Sequence, residues 1–444
     1  MLPRTYRNIF QGCVLLCIVF ASLYVHKQWL QGNELMHWKN ARTGDEHQHS
    51  AQERHGTDSK NNVESTTVQE PRENARMKQK QSTATDKPKI YSNRYLLPFR
   101  PNAMGGANHQ YRRFKKAIIM SALTNRTLVM TPFFLHGGHV GGYTKEHLRP
   151  FNATFDADML SQVVPVATIE AFKRVCNRNN TKVILWAGER EQYENIKKLI
   201  YTDMVEVDLP SEDEVINLEQ MQLDKVAPIT KHESCVALSI DGLLHTKFNN
   251  TEQIGQLEYL VDKYLVPAPN VVRIVNDLTN KICQGKQYLA YHWRNQSAEM
   301  ICFFGRERHE NDCASQRKVI RKFAEISAEA VTNLMRKEQI ECIYLACPLW
   351  ALDMVDILSK RIPRASIFTS GDILGSPKYQ TLLEDYYTLS LVEQEISMRA
   401  AVFVATTHSN WSNFVTANRR TNGRSNYNIK DIVKLPDNIP PALL

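Results

Sequence analysis

A long apolar run comes first: from Ile9 to Val25 the sequence IFQGCVLLCIVFASLYV carries no charged residue. At ~1.5 Å of rise per residue a helix here covers ~25 Å, enough for a thin bilayer. Arg4 and Arg7 precede it and Lys27 follows. The positive-inside tendency therefore predicts a type II anchor, with residues 1–8 as a cytosolic tail, 9–26 as the span and the remainder lumenal. Val19 and Ala21 also offer a weak cleavage site, and a removed signal peptide would leave the same segment in the same lumen. From 27 to 89 the pattern turns polar, dominated after Gly32 by Gln, Glu, Lys, Arg, Ser, Thr and His. Such a stretch cannot bury enough apolar surface to offset the entropy of ordering, and it reads as a flexible stem.

After Ile90, apolar runs of strand length alternate with helical segments. Tyr111 to Leu123 has helical character, the break Thr124-Asn125-Arg126 follows, and TLVMTPFF reads as one short buried strand. VILWA and ESCVALSI are further strand candidates. The second half repeats the rhythm: QYLAYHW is strand-like, Ser315 to Lys337 helical, CIYLAC a strand, MVDILSK a helix and ASIFTS a strand. A helix from about Tyr386 to Arg399 then leads into the strand AVFVA and a polar loop, THSNWSN. This alternation predicts an α/β fold of parallel sheets covered by helices, divided into two Rossmann-like domains, 90–275 and 276–444, facing a cleft. Ligands of such sheets bind beyond the carboxyl ends of the strands, so the loops that follow strands are where chemistry is expected.

Composition narrows the class. A chain of 444 residues allows roughly two to three domains by the ~150-residue prior. The net charge of +8 is spread among many acids and falls partly in the stem, so nucleic acid is not indicated. Seven cysteines follow the anchor, and an oxidising lumen would pair most of them and leave one over; Cys302 and Cys313 are close enough in sequence to pair. Six N-x-S/T triplets, at Asn125, Asn152, Asn179, Asn249, Asn295 and Asn410, suit a lumenal protein.

Three segments could carry chemistry. In PNAMGGANHQYRRF, Gly105 and Gly106 precede Asn108 and Gln110 at the start of a helix; adjacent glycines let a ligand approach the backbone, and the helix N-terminus offers unpaired N–H groups to an anion. An unliganded turn is the plainer reading of such a pair. YLAYHWRN ends a strand in His292, Trp293 and Arg294, whose guanidinium can grip a pyrophosphate or merely close a salt bridge. In VFVATTHSNWSNF, Ser409, Asn410 and Ser412 surround Trp411: hydroxyls and amides suited to phosphate, with an aromatic ring to pack near a base or brace the loop. Ahead of it, Glu393 could accept hydrogen bonds from a purine edge or simply face solvent. Asp156-Ala-Asp158 has the spacing of a divalent-metal pair but follows no aliphatic strand, and an exposed turn or cap is expected there. No HExxH, zinc-spaced cysteine set, GxSxG or P-loop is present.

Taken together, these segments resemble the GDP-fucose protein O-fucosyltransferase family. MGGANHQYRRFKKAIIMSALTNRTLVMTPFF is similar to its Gly-rich start, His292-Trp293-Arg294 matches its His-x-Arg strand end, and Ser409-Asn410-Trp411-Ser412 is similar to its Ser-Ser-Phe-Ser/Thr loop. The resemblance spans roughly residues 91 to 420. It implies a GT-B arrangement, GDP-fucose held mainly by the C-terminal domain with the acceptor on the N-terminal side, inversion at the fucose anomeric carbon, and neither metal nor other cofactor. Arg294 would bind the donor phosphates and stabilise departing GDP, and His292 would shape the nucleotide site. Asn108 would lie near the donor sugar and acceptor hydroxyl, Ser409 and Ser412 would contact phosphate or ribose, and Glu393 would recognise guanine. Asn410 and Trp411 depart from the family's usual Ser and Phe. The glutamate that serves some members as base is missing between Pro101 and Gln110, so either the acceptor proton leaves late or a base comes from elsewhere. An anchor with a stem, and a chain that ends PPALL without a retrieval signal, point to the Golgi membrane, with the endoplasmic reticulum as the alternative, and to a secretory glycoprotein or glycan as acceptor. Two other readings are a metal-dependent transferase using Asp156 and Asp158, and a non-catalytic lumenal binding protein.

Overall fold

The computed structural model describes residues 93–99, 107–135, 144–240, 252–294, 310–348, 353–375, 377–383, 385–407 and 409–434. All belong to one compact unit running from Asp86 to Leu444. The expected tail, anchor and stem lie outside the described residues, as do Gly105, Gly106, Asn295 and Cys302, and with Cys302 the expected Cys302–Cys313 pairing. Among the described residues no helix is long and apolar enough to cross a membrane.

The unit contains two parallel sheets. The first has the order β5-β2-β1-β8-β6-β7, with β1 at Tyr95–Phe99, β2 at Thr127–Val129, β5 at Val166–Ala167, β6 at Thr181–Trp186, β7 at Ile216–Leu218 and β8 at Cys235–Ser239. The second has the order β11-β10-β9-β12-β13, with β9 at Leu289–His292, β10 at Ile343–Ala346, β11 at Ile367–Phe368, β12 at Val402–Ala405 and β13 at Ser425–Asn428. Every pairing within both is parallel. The apolar runs follow from this: β8, β9, β10 and β12 are buried at every position, because helices cover both faces of such a sheet.

TLVMTPFF is not one strand. Thr127–Val129 is β2, whereas Phe133–Phe134 forms β3 of a separate antiparallel pair with β4 at Leu148–Arg149. Pro132, which has no N–H to give a ladder, lies in the break. The polar THSNWSN segment also differs from expectation, since a helix begins inside it.

The helices α1 (Ala107–Leu123), α2 (Glu252–Tyr264), α3 (Pro269–Thr279), α4 (Glu310–Lys337), α5 (Tyr386–Arg399) and α6 (Asn410–Thr421) connect or cover the sheets. The sequence division at 275 falls within α3, which packs on α5. Between the sheets the core is continuous. Tyr111 of α1 lies 5.7 Å from the Phe414 ring of α6, and Phe155 lies 4.8 Å from Tyr111 and 5.8 Å from Phe414. Disulfides join Cys176 to Cys235 and Cys283 to Cys342, one in each half, and Cys347 is a buried free thiol.

Candidate active site

In the second sheet the chain runs from β9 outward through β10 to β11, then returns to build β12 and β13 on the other side of β9. The strand order therefore reverses between β9 and β12, which opens a crevice at their carboxyl ends. His292 is the last residue of β9, Arg294 lies two residues beyond, and the Ser409–Ser412 segment follows β12. Two of the three sequence motifs thus meet at one switch point.

The contacts there are specific. His292 Nδ1 lies 2.7 Å from the Ser412 hydroxyl. Its ring stacks on Trp411, with centroids 4.1 Å apart and planes inclined by 27°. Trp411 is held in turn by its indole N–H, which donates to Ser390 Oγ at 3.0 Å. Thr406 links the two residues: its N–H donates to Ser412 Oγ at 3.1 Å, and its hydroxyl donates to the His292 carbonyl. Burial, helped by the nearby Arg294 charge, pulls the His292 ring down to about 3, so it is neutral at neutral pH.

Ser409 is the N-cap of α6, its hydroxyl accepting the Ser412 N–H at 3.3 Å. Both serines are fully buried, and their hydroxyls are engaged inside the loop. What the segment presents to a ligand is the N-terminus of a helix of 12 residues, with unpaired N–H groups and the positive end of its dipole. Asn410 at its first position reaches across to the first half, its amide 3.3 Å from His109 Nδ1.

The Gly-rich motif is joined to the same place. Asn108, in the first turn of α1, accepts a hydrogen bond through Oδ1 from the amide of buried Gln394 on α5. Gln110 is structural: its side-chain amide donates to the Phe134 carbonyl at 2.8 Å and accepts the Phe134 N–H at 2.9 Å, imitating a strand partner for β3. A cavity of ≈ 300 Å³ opens beside Asn108 and Asn410, among Arg112, Lys115, Asp262 and Phe414.

Glu393 is half-buried rather than solvated. It accepts the Tyr344 hydroxyl at 3.1 Å. Burial pushes its carboxyl up to about 8, against the opposing pull of hydrogen bonds from Tyr344 and Ser370. Asp156 is a helix cap, one carboxylate oxygen accepting the N–H groups of Asp158 and Met159 at 3.0 Å each. Among the described residues no group of three or more His, Cys, Asp or Glu side chains could hold a metal ion. Sequence reasoning missed Thr406, Ser390, Gln394, His109 and Tyr344. Each acts through one hydrogen bond to a residue remote in sequence or through a backbone group, and neither leaves a motif.

A family model, GDP-fucose protein O-fucosyltransferase (O-FucT), matches residues 95–422. This chain belongs to that family. It is accordingly a GDP-fucose-dependent glycosyltransferase. Among solved structures, the O-fucosyltransferase chain is similar to POFUT1 in complex with GDP-fucose, at 15% identity and a TM-score of 0.51, covering 77% of this chain and 99% of that one. The apo form of POFUT1 matches with the same identity, coverage and TM-score. Fucosyltransferase NodZ from Bradyrhizobium matches at 13% identity over 73% of this chain and 91% of its own, with a TM-score of 0.39. None of the curated proteins matches. At these identities the POFUT1 likeness shows a shared fold.

Proposed function

We propose that the protein transfers fucose from GDP-fucose to a hydroxyl of a secretory-pathway protein or glycan, with inversion and without a metal ion, in a GT-B arrangement. The observation that carries this reading is the meeting of His292, Arg294 and the α6 N-terminus at the switch point of the second sheet. A nucleoside diphosphate leaving group needs its growing charge offset. A guanidinium two residues past a strand end and a helix N-terminus after the neighbouring strand are the groups suited to that task. Asn108, tied to the second half through Gln394, has an amide that can orient a sugar or acceptor hydroxyl but cannot take its proton. The complex of POFUT1 with GDP-fucose supports the choice of donor. The acceptor side is assigned to residues 90–275 and the donor side to 276–444.

Anchorage in the Golgi membrane through residues 9–26 belongs to the same proposal and rests on the sequence. Recovery of the intact N-terminus in a carbonate-washed membrane fraction tests it. For the chemistry, transfer or hydrolysis of GDP-fucose should persist in EDTA, and Arg294→Ala should slow it at least ~10²-fold, about 2.7 kcal/mol of barrier. Absence of GDP binding to the native protein in titration calorimetry would refute the reading.

A further inference from the structure

The contacts around His292 decide more than its position. The Ser412 side chain is fully buried, so its hydroxyl proton must find an acceptor in the protein. Its oxygen already receives the Thr406 N–H at 3.1 Å, and the acceptor within reach is His292 Nδ1 at 2.7 Å. An Nδ1 that accepts carries no proton, which leaves the single proton of the neutral ring on Nε2. The ring is held in this orientation by the Ser412 contact at Nδ1 and by its stack on Trp411.

We propose that Ser412 is a positioning residue that locks His292 in the Nε2–H tautomer, making the ring a fixed hydrogen-bond donor to an oxygen of the bound nucleotide. This deepens, and rests on, the assignment of the switch point as the GDP-fucose site. In this reading the family's last Ser/Thr does not touch phosphate. It converts an ambidextrous imidazole into a donor, and His292 is neither acid nor base in the transfer. The neutral state follows from burial and the neighbouring Arg294. It keeps the ring from adding a third charge to a site where the guanidinium and helix end already oppose the pyrophosphate.

Ring-labelled ¹⁵N histidine NMR of the full chain reads the tautomer directly, the His292 signal being identified among 14 histidines by its loss in His292→Gln. The wild type should show Nε2 protonated and Nδ1 unprotonated at neutral pH. Ser412→Ala should return the ring to a mixture and weaken GDP binding about tenfold or more. Ser412→Thr, which keeps the hydroxyl, should restore both. An Nδ1–H or imidazolium ring in the wild type overturns the proposal. So does a Ser412→Ala protein with unchanged tautomer and unchanged GDP affinity. If the wild type shows the expected tautomer but binds no GDP, the nucleotide-site assignment fails and with it the role given to Ser412 in binding, while its hold on the ring stands.

Discussion

Two residues at the site carry opposite pH signatures. Glu393 keeps its proton in the folded chain up to about 8, against an ordinary value of 4.5. Between those values the folded state binds more protons than the unfolded one, so this contribution to stability is lost as pH rises through that window. His292 is neutral in the folded chain down to about 3, against 6.5; its contribution is present above 6.5 and lost as pH falls below it. We expect the melting temperature of the ligand-free protein to decline toward alkaline pH, and Glu393→Gln to remove much of that decline. Equal slopes in both proteins would show that the carboxyl is not held protonated. If Glu393 reads the guanine edge, it does so as a carboxylate, and GDP binding near neutral pH expels a proton. Calorimetry in two buffers of different ionisation enthalpy measures that release.

At the scale of elements, two buried arginines bind the strands together. Arg126 donates to the carbonyls of Tyr95, Thr230 and Glu233, joining the start of β1 to the segment before β8. Arg419, on α6, donates to the carbonyls of Ser397, Met398, Ala400, Ala401 and Ser425 and to Asn426 Oδ1. It thereby fixes the entries to β12 and β13 and the helix whose N-terminus lies at the switch point. An ammonium cannot reproduce this planar fork. Arg419→Met should destabilise the protein by about 3 kcal/mol or more in denaturant melts, since several buried carbonyls lose their donor at once. Arg419→Lys should recover only a small part. A loss under about 1 kcal/mol would mean that water or the backbone replaces the clamp. Arg126 lies within the Thr-Asn-Arg-Thr-Leu sequence of the family resemblance, and in this chain its hydrogen bonds are architectural.

For the whole molecule, the N-x-S/T triplets separate by exposure. Asn125, Asn152 and Asn179 are exposed, whereas Asn410 is half-buried against His109 at the junction of the halves. In a lumenal protein, glycopeptide mass spectrometry should find glycans on the first three and none on Asn410. A glycan on Asn410 would contradict the placement of the α6 N-terminus at the site. The shared aromatic core of Tyr111, Phe155 and Phe414 also means that substitutions in α1 or α6 act on both halves together.

The sequence by itself determined the local features. The alternation of apolar runs with helical segments predicted parallel sheets, the Tyr386–Arg399 helix was legible to its ends, and His292, Arg294 and Ser409 were marked by their places after buried strands. These are properties of a residue and its near neighbours, where side-chain period and chain chemistry suffice. The start of α6 was hidden because a cap and a polar first turn read as loop until their hydrogen bonds close. Only the tertiary structure decided that β9 and β12 are adjacent, that Ser412 meets His292, and that Glu393 is half-buried against Tyr344. Strand order is set by pairings more than a hundred residues apart, as from Leu289 to Val402. The state of a titratable or rotatable group depends on what those pairings enclose around it.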